Sequence, residues 1–407
     1  MKRVVVTGMA GISPIGSDWE SIEDHLRSGT NGVRYVEDWD RFEGLRTRLG
    51  APVPDFQTPE HYSRKQVRSM GRVAQMATRA TEQALEDAGL LNDPELQSGK
   101  MGIAYGSATG SIDAQISFYG MHHSGNVRGV AATTYIKMMS HTAAVNIGVF
   151  FGLTGRIIPT CSACTSGSQA IGYAYECIRE GRQVMMVTGG AEELCEYEVA
   201  VFDTMYAASS INDAPETTPR PFDASRDGLV IGEGASTLIL EELEHAQARG
   251  APIYAEVIGF GTNADGSHIT RPNQTTITRC IEMALEDAGL PPGEIGYVNA
   301  HATGTEMGDI VESLATNHIF GADMPISSLK SYTGHMLGGC GSFESWLSIE
   351  MMNRGWFAPT INLSELDPDC AELDYLTEIR KIETEYVMNN NFAFGGINTS
   401  LIFKRMT

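Results

Sequence analysis

Short apolar runs rich in β-branched residues alternate with longer stretches of helical periodicity along the whole chain. The runs fall at residues 4–6, 102–105, 184–187, 238–240, 254–258 and 297–299. Each reads as a buried strand, and the alternation with helical patterns predicts an α/β fold. One segment recurs. Residues 84–90 read A-L-E-D-A-G-L, and residues 284–290 read the same. Both copies end an amphipathic pattern at a glycine, Gly89 and Gly289, and both precede an apolar strand. Strands near Val4 and Tyr254 each lead into a glycine-containing turn. The matching flanks predict a duplication: two similar α/β halves, 1–250 and 251–407, packed as one body.

Composition narrows the function. The 407 residues are 42% hydrophobic, enough for a large core. With 29 basic and 51 acidic side chains the formal charge is −22. A surface that acidic disfavours nucleic acid or an anionic membrane as the main partner. The N-terminal M-K-R-V-V-V-T-G-M-A-G superficially looks like a secretion signal, but Thr7 and Gly8 break its apolar part. A buried first strand explains it better. No stretch approaches the roughly 20 apolar residues of a membrane span, so a soluble, cytoplasmic protein is expected. Seven cysteines, odd in number, read as reduced thiols.

Two of those cysteines sit three apart in P-T-C-S-A-C-T-S-G-S-Q-A-I, residues 159–171. The apolar run before Cys164 and the helical pattern of 165–179 place it where a strand turns into a helix N-terminus. There the helix dipole favours a thiolate. Thr165, Ser166, Gly167 and Ser168 are small enough for a substrate to approach. Zinc would need a second ligand pair of suitable spacing. Cys177, Cys195, Cys280, Cys340 and Cys370 offer none. A redox pair is conceivable, although a thioredoxin-like module is far smaller than this chain. Position alone leaves nucleophile, core cysteine and redox or metal ligand all open.

Two histidines add to the picture. His301, in Y-V-N-A-H-A-T-G-T-E-M-G-D, follows an apolar strand into a loop. His335, in S-S-L-K-S-Y-T-G-H-M-L-G-G-C-G-S-F-E, is expected to open a helix just after Lys330 and Gly334. Singly, each could be a surface or core histidine. Both lie at junctions of the kind where active sites of α/β folds gather.

Together, S-A-C-T-S-G, N-A-H-A-T-G-T-x-x-G-D, L-K-S-x-T-G-H-x-L-G-x-x-G and N-x-F-A-F-G-G-x-N resemble the β-ketoacyl-acyl-carrier-protein synthases. These are the elongating condensing enzymes of the thiolase superfamily. V-T-G-G-A-E-E (187–193) and R-P-F-D-A-S-R-D-G-L-V-I-G-E-G-A (220–235) extend the likeness, which runs from Val4 to the final strand at 401–403. The resemblance implies a thiolase-like fold, with duplicated halves in α-β-α-β-α layers. Cys164 becomes the nucleophile, and Cys161 a bystander packed behind it.

The same resemblance implies the remaining roles. His301 and His335 would stabilise the enolate from malonyl decarboxylation, with Lys330 and Glu344 as an ionic support. Backbone N–H groups of Cys164 and Phe394 would form the oxyanion hole. Thr303, Thr305 and Thr270 would meet the phosphopantetheine arm, Phe394 and Gly395 would gate the acyl pocket, and Thr109 with Phe202 would line its far wall. No cofactor and no metal are expected, because the substrates ride on phosphopantetheine. The partners implied are an acyl carrier protein and a second subunit, either in a homodimer or in a heterodimer with a chain-length-factor-like chain. Arg64, Lys65, Arg68 and Arg72 form a basic cluster suited to an acidic carrier.

Paired histidines match the decarboxylating class, since thiolases and acyl-CoA-using initiators place an asparagine at one of these positions. A degradative thiolase would need a second catalytic cysteine, for which Cys340 is the nearest candidate, although it reads better as a small core residue. A non-catalytic chain-length factor would lack Cys164. Three departures stand out: Ser168-Gln169 after the nucleophile segment, Ile397 in place of threonine in G-G-T-N, and Thr109 where a bulky aliphatic residue is common. They point toward a specialised polyene or polyketide-type pathway, with housekeeping fatty-acid elongation as the alternative.

Overall fold

The computed structural model describes residues 1–406. The first half contains β1 (Val4–Ile12), α1 (Arg72–Asp87), β2 (Met101–Gly106), α2 (Thr142–Phe151), β3 (Ile157–Thr160), α3 (Ser166–Arg179), β4 (Met185–Glu192), α4 (Glu196–Thr204) and β5 (Gly234–Glu242). The second contains β6 (Ala255–Ala264), α5 (Gln274–Ala288), β7 (Tyr297–Asn299), α6 (Glu306–Phe320), β8 (Pro325–Ser327), α7 (Cys340–Arg354), β9 (Tyr386–Ala393) and β10 (Ile397–Arg405).

The strand order shows the duplication. The first half runs β3-β2-β4-β5-β1 and the second β8-β7-β9-β10-β6, with a short edge strand Asp374–Tyr375 outside β8. In each half the first strand pairs antiparallel with the last, and the inner strands β2-β4 and β7-β9 are parallel. The halves join where Val4, Val5 and Val6 of β1 pair with Val257, Glu256 and Ala255 of β6. The repeated A-L-E-D-A-G-L closes α1 and α5, and Gly89 and Gly289 both adopt φ 66°. That left-handed turn is what a glycine at a helix end supplies.

α3 and α7 lie between the two halves' strands and pack on each other, while α1 with α2 and α5 with α6 cover the outer faces. The layers are therefore α-β-α-β-α. Helices so enclosed need small residues at their crossing. A Cβ on Gly167 would lie 2.9 Å from Ser342 N, and one on Gly341 would lie 2.8 Å from Ser168 N. This crossing brings the starts of α3 and α7 together, beside Cys164.

Candidate active site

β3 ends at Thr160, and a 3₁₀ turn over Ala163–Thr165 feeds directly into α3. Ala163 has φ 50°, an uncommon backbone for a residue with a Cβ. Ser166 secures the turn: its Oγ accepts from Ser162 N at 3.0 Å and donates to Ala163 O at 2.7 Å. Cys164 is thereby held at the helix start as expected, but buried, at 4% exposure. Burial pushes its thiol up to about 12, against the opposing pull of Lys330 and the N–H groups of Phe394 and Cys164. Desolvation therefore outweighs the helix dipole, and the resting group is a thiol, not the thiolate expected from position.

The proton has an acceptor nearby. His335 Nε2 lies 2.9 Å from Cys164 Sγ. The rings of His335 and His301 meet edge to face at 84°, with centroids 5.2 Å apart. Burial, then the Lys330 cation, holds both imidazoles well below their ordinary value, so both are neutral. A neutral imidazole can take the thiol proton and can still donate through its other nitrogen. The Nδ1 atoms of both are buried without partners. Donor atoms of Cys164, His301 and His335 fall within 4.8 Å of one another, a set that could ligate a cation. The adjacent Lys330 ammonium opposes a second positive charge.

His335 does not open a helix. It lies between a short helix, Lys330–Thr333, and a 3₁₀ turn, Leu337–Gly339, and bridges Ile231. Its N–H donates to Val230 O at 2.7 Å, and Gly232 N–H donates to its carbonyl at 3.0 Å. The L-V-I-G part of the 220–235 motif is thus the rail that fixes this histidine. His301 is fixed by α6. Glu312 accepts the N–H groups of His301 and Ala302, each at 2.7 Å, and Asp309 accepts those of Thr303 and Gly304 at 3.1 and 3.3 Å. The sequence reading missed Glu312. Its signal was the three-residue spacing from Asp309, which puts both acids on one helix face.

Lys330 and Glu344 form a fully buried ion pair at 2.5 Å, and Glu344 keeps Lys330 charged despite burial. Glu344 also accepts from Asn391 Nδ2 at 2.8 Å. Behind it, Asn299 Nδ2 donates to Asn389 Oδ1 at 2.7 Å, and Asn389 Nδ2 reaches Ser345 Oγ at 3.1 Å. This amide lattice was not foreseen either. Nothing in the run N-N-N says which side chains turn inward.

A cavity of about 530 Å³ opens over Cys164. Cys164, His301, His335 and Phe202 line it, as do Phe394, Thr303, Thr305 and Thr270. Thr303 and Thr305 share a hydrogen bond at 3.1 Å, and the rings of Phe202 and Phe394 lie 5.2 Å apart. Gly395 is not on the wall. Exposed, at φ 89°, it ties the loop back through Gly395 N–H to Ile269 O at 2.7 Å. Its neighbours Phe394 and Gly396 do face the cavity.

Three further expectations are corrected. Cys161 is exposed and does not pack behind the nucleophile. That place belongs to Cys340, whose Sγ lies 3.3 Å from the Cys164 carbonyl, so Cys340 is a buried support at the start of α7. Thr109 does not line this cavity, because its hydroxyl is tied 2.7 Å from Glu198. Arg72 is no free docking cation, since its guanidinium holds Glu233 at 2.8 and 2.6 Å. Arg64, Lys65 and Arg68 are exposed on and beside the short helix Arg64–Val67. Among the described residues no helix is long and apolar enough to cross a membrane.

Known proteins are similar to this chain over its whole length. Residues 1–246 match the family model for the β-ketoacyl synthase N-terminal domain, and residues 254–364 match that for the C-terminal domain. The 3-oxoacyl-[acyl-carrier-protein] synthase 1 of Escherichia coli K12 is 36% identical over the full length of both chains. A β-ketoacyl synthase from Burkholderia phymatum STM815 superposes with TM-score 0.99 at 58% identity, covering both chains completely. The ishigamide ketosynthase/chain length factor superposes with TM-score 0.91 at 32% identity, again over both full chains. Family-model matches to both domains and relatives similar over the full chain place it in the β-ketoacyl-acyl-carrier-protein synthases, condensing acyltransferases of the thiolase superfamily.

Proposed function

We propose that this synthase runs a decarboxylative condensation of acyl- and malonyl-acyl carrier protein through an acyl-Cys164 intermediate, in a specialised polyene or polyketide-type pathway. The observation that carries the catalytic part is the 2.9 Å contact of His335 Nε2 with Cys164 Sγ. His335 takes the thiol proton as sulfur attacks the acyl thioester carbon. The N–H groups of Cys164 and Phe394, which already approach the sulfur, hold the oxyanion. Collapse expels the carrier's thiolate, which leaves with the proton. Malonyl-acyl carrier protein then loses its carboxylate as carbon dioxide, and the bond electrons pass to the thioester oxygen as an enolate. His301 and His335 donate to that oxygen, and the enolate carbon attacks the acyl-Cys164 carbonyl carbon. The C–S bond breaks to release the β-ketoacyl chain on its carrier, and the departing Cys164 thiolate takes up one proton from solvent.

Burial and the Lys330 cation keep the histidines neutral, and Glu344 keeps Lys330 charged. The phosphopantetheine arm runs past Thr270, Thr305 and Thr303, with the Phe394–Gly395 turn as the gate. Arg64, Lys65 and Arg68 receive the acidic carrier. A second subunit covers the exposed Val149 and the open edge of β3, as a homodimer or beside a chain-length-factor-like chain. The pathway assignment is supported by the likeness to the ishigamide ketosynthase/chain length factor. The test is competition between saturated and polyunsaturated acyl carrier proteins of equal length, read as kcat/KM. A clear preference for saturated chains would return the enzyme to housekeeping elongation.

A further inference from the structure

Two acids buried near the nucleophile take no part in the chemistry above. Glu192, at the end of β4, is 0% exposed, and Glu198, in the first turn of α4, is 5% exposed. Thr109 Oγ1 lies between them, 2.7 Å from Glu198 Oε1 and 3.2 Å from Glu192 Oε1. Their surroundings differ. Glu192 accepts from Ser107 Oγ at 2.9 Å and from the N–H groups of Ala108 and Gly338 at 2.6 and 3.2 Å. Burial raises Glu192 to about 7 against the opposing pull of these donors. Glu198 has Thr109 on Oε1, while its Oε2 is buried without a geometric hydrogen bond, the weakly donating Cys195 thiol being a neighbour of the carboxyl group. Burial and the Glu192 charge raise Glu198 well above the carboxylate range. Of the two, Glu198 is the harder to ionise.

Its place on α4 matters. Phe202, one turn later on the same helix face, lines the catalytic cavity. Val199, beside Glu198, packs in one apolar cluster with Phe202, Ala108 and Cys164. Glu198 therefore stands just behind the apolar wall nearest the nucleophile. A structural clamp would need Glu192 alone, because Glu192 already joins the 107–109 loop to Gly338. An apolar residue at 198 would fill the space without an unpaired oxygen.

We propose that Glu198 is a specificity-determining residue: its free oxygen ends the acyl site in a hydrogen-bonding floor that selects chains with a remote hydroxyl, alkyl or phenolic, over chains ending in methyl. This rests on the condensing function proposed above. A hydroxyl pairs with the acid whichever oxygen carries the proton, since it donates to a carbonyl and accepts from an O–H. A methyl leaves that oxygen unmet, and a carboxylate would meet the charge on Glu192.

The experiment uses the full-length enzyme, malonyl-acyl carrier protein and matched pantetheine thioesters, such as ω-hydroxyoctanoyl against nonanoyl, at lengths from butyryl to dodecanoyl. Wild type should favour the hydroxyl member about tenfold or more in kcat/KM at the length that reaches the floor. Glu198→Leu should abolish or reverse that preference. Glu198→Gln, which keeps a hydrogen-bonding amide, should retain its sign and guards against loss of folding in the leucine variant. Absence of a hydroxyl preference at any length in wild type, or one unchanged in Glu198→Leu, overturns the proposal. Butyryl thioester, too short to reach the floor, separates the two claims. Its turnover keeps condensation standing whatever the pairs show, and its failure in wild type would overturn both.

Discussion

His335 Nε2 and Cys164 Sγ are 2.9 Å apart although 171 residues separate them in the chain. The thiol, pushed up to about 12, keeps its proton until a substrate arrives, and His335 is the nearest base. His335→Ala should slow acyl loading of Cys164 by about 10²–10⁴-fold, the usual scale of a positioned base. It should also block malonyl decarboxylation. His301→Ala should block decarboxylation while loading continues, because its place is at the enolate. Mass spectrometry of acylated enzyme and carbon dioxide release read the two steps. Wild-type decarboxylation in either variant would remove its assigned role.

Cys164→Ala should abolish condensation, whereas Cys161→Ala, which changes an exposed thiol, should leave most of it. Equal loss of acyl-enzyme in both would revive a paired-cysteine mechanism.

Glu344→Leu should destabilise the fold by about 3–5 kcal/mol, because it strands the Lys330 cation in a buried site. Lys330→Met with Glu344→Leu should recover much of that stability without restoring decarboxylation. Chemical denaturation together with carbon dioxide release checks both halves of the expectation.

The basic cluster divides in two. Arg64→Glu with Arg68→Glu should raise KM for acyl carrier protein in a salt-sensitive way and spare small thioesters. Arg72→Glu should instead lower stability, since it leaves buried Glu233 facing a second carboxylate. An unchanged KM at low salt in the double variant would take docking away from this helix.

Acid acts on the histidines with a definite sign. In the unfolded chain they protonate near 6.5, whereas the fold excludes those protons until well below it. Their contribution to stability is therefore full above 6.5 and falls as pH drops through that value. A His301→Asn, His335→Asn double variant should gain on wild type in Tm between about pH 7.5 and 5.5. A constant difference across that range would mean the pair titrates normally.

Much of this was legible in the sequence because it is local. The two A-L-E-D-A-G-L segments end helices at left-handed glycines, as their spacing implies. Cys164 stands at a helix start because strand and helix patterns meet there. What escaped depends on distant partners. The thiol's protonation is set by burial under both halves, and Glu312, Asn389 and Asn391 matter only through the groups they satisfy. Cys161 turns outward for the same reason: spacing cannot show which thiol of a pair faces the core.

The three-residue seam between β1 and β6 has a consequence for synthesis. When the first half leaves the ribosome, the edge of β1 at Val4 to Val6 has no strand to meet, because its partners lie at 255–257. The inward face of α3 likewise waits for α7. A nascent chain in this state offers an open strand edge and an apolar helix face, the features that recruit chaperones or seed aggregates. Its thiol is meanwhile harmless. The base beside Cys164 comes from residue 335, so translation must pass well beyond the seam before the chain can form an acyl-enzyme.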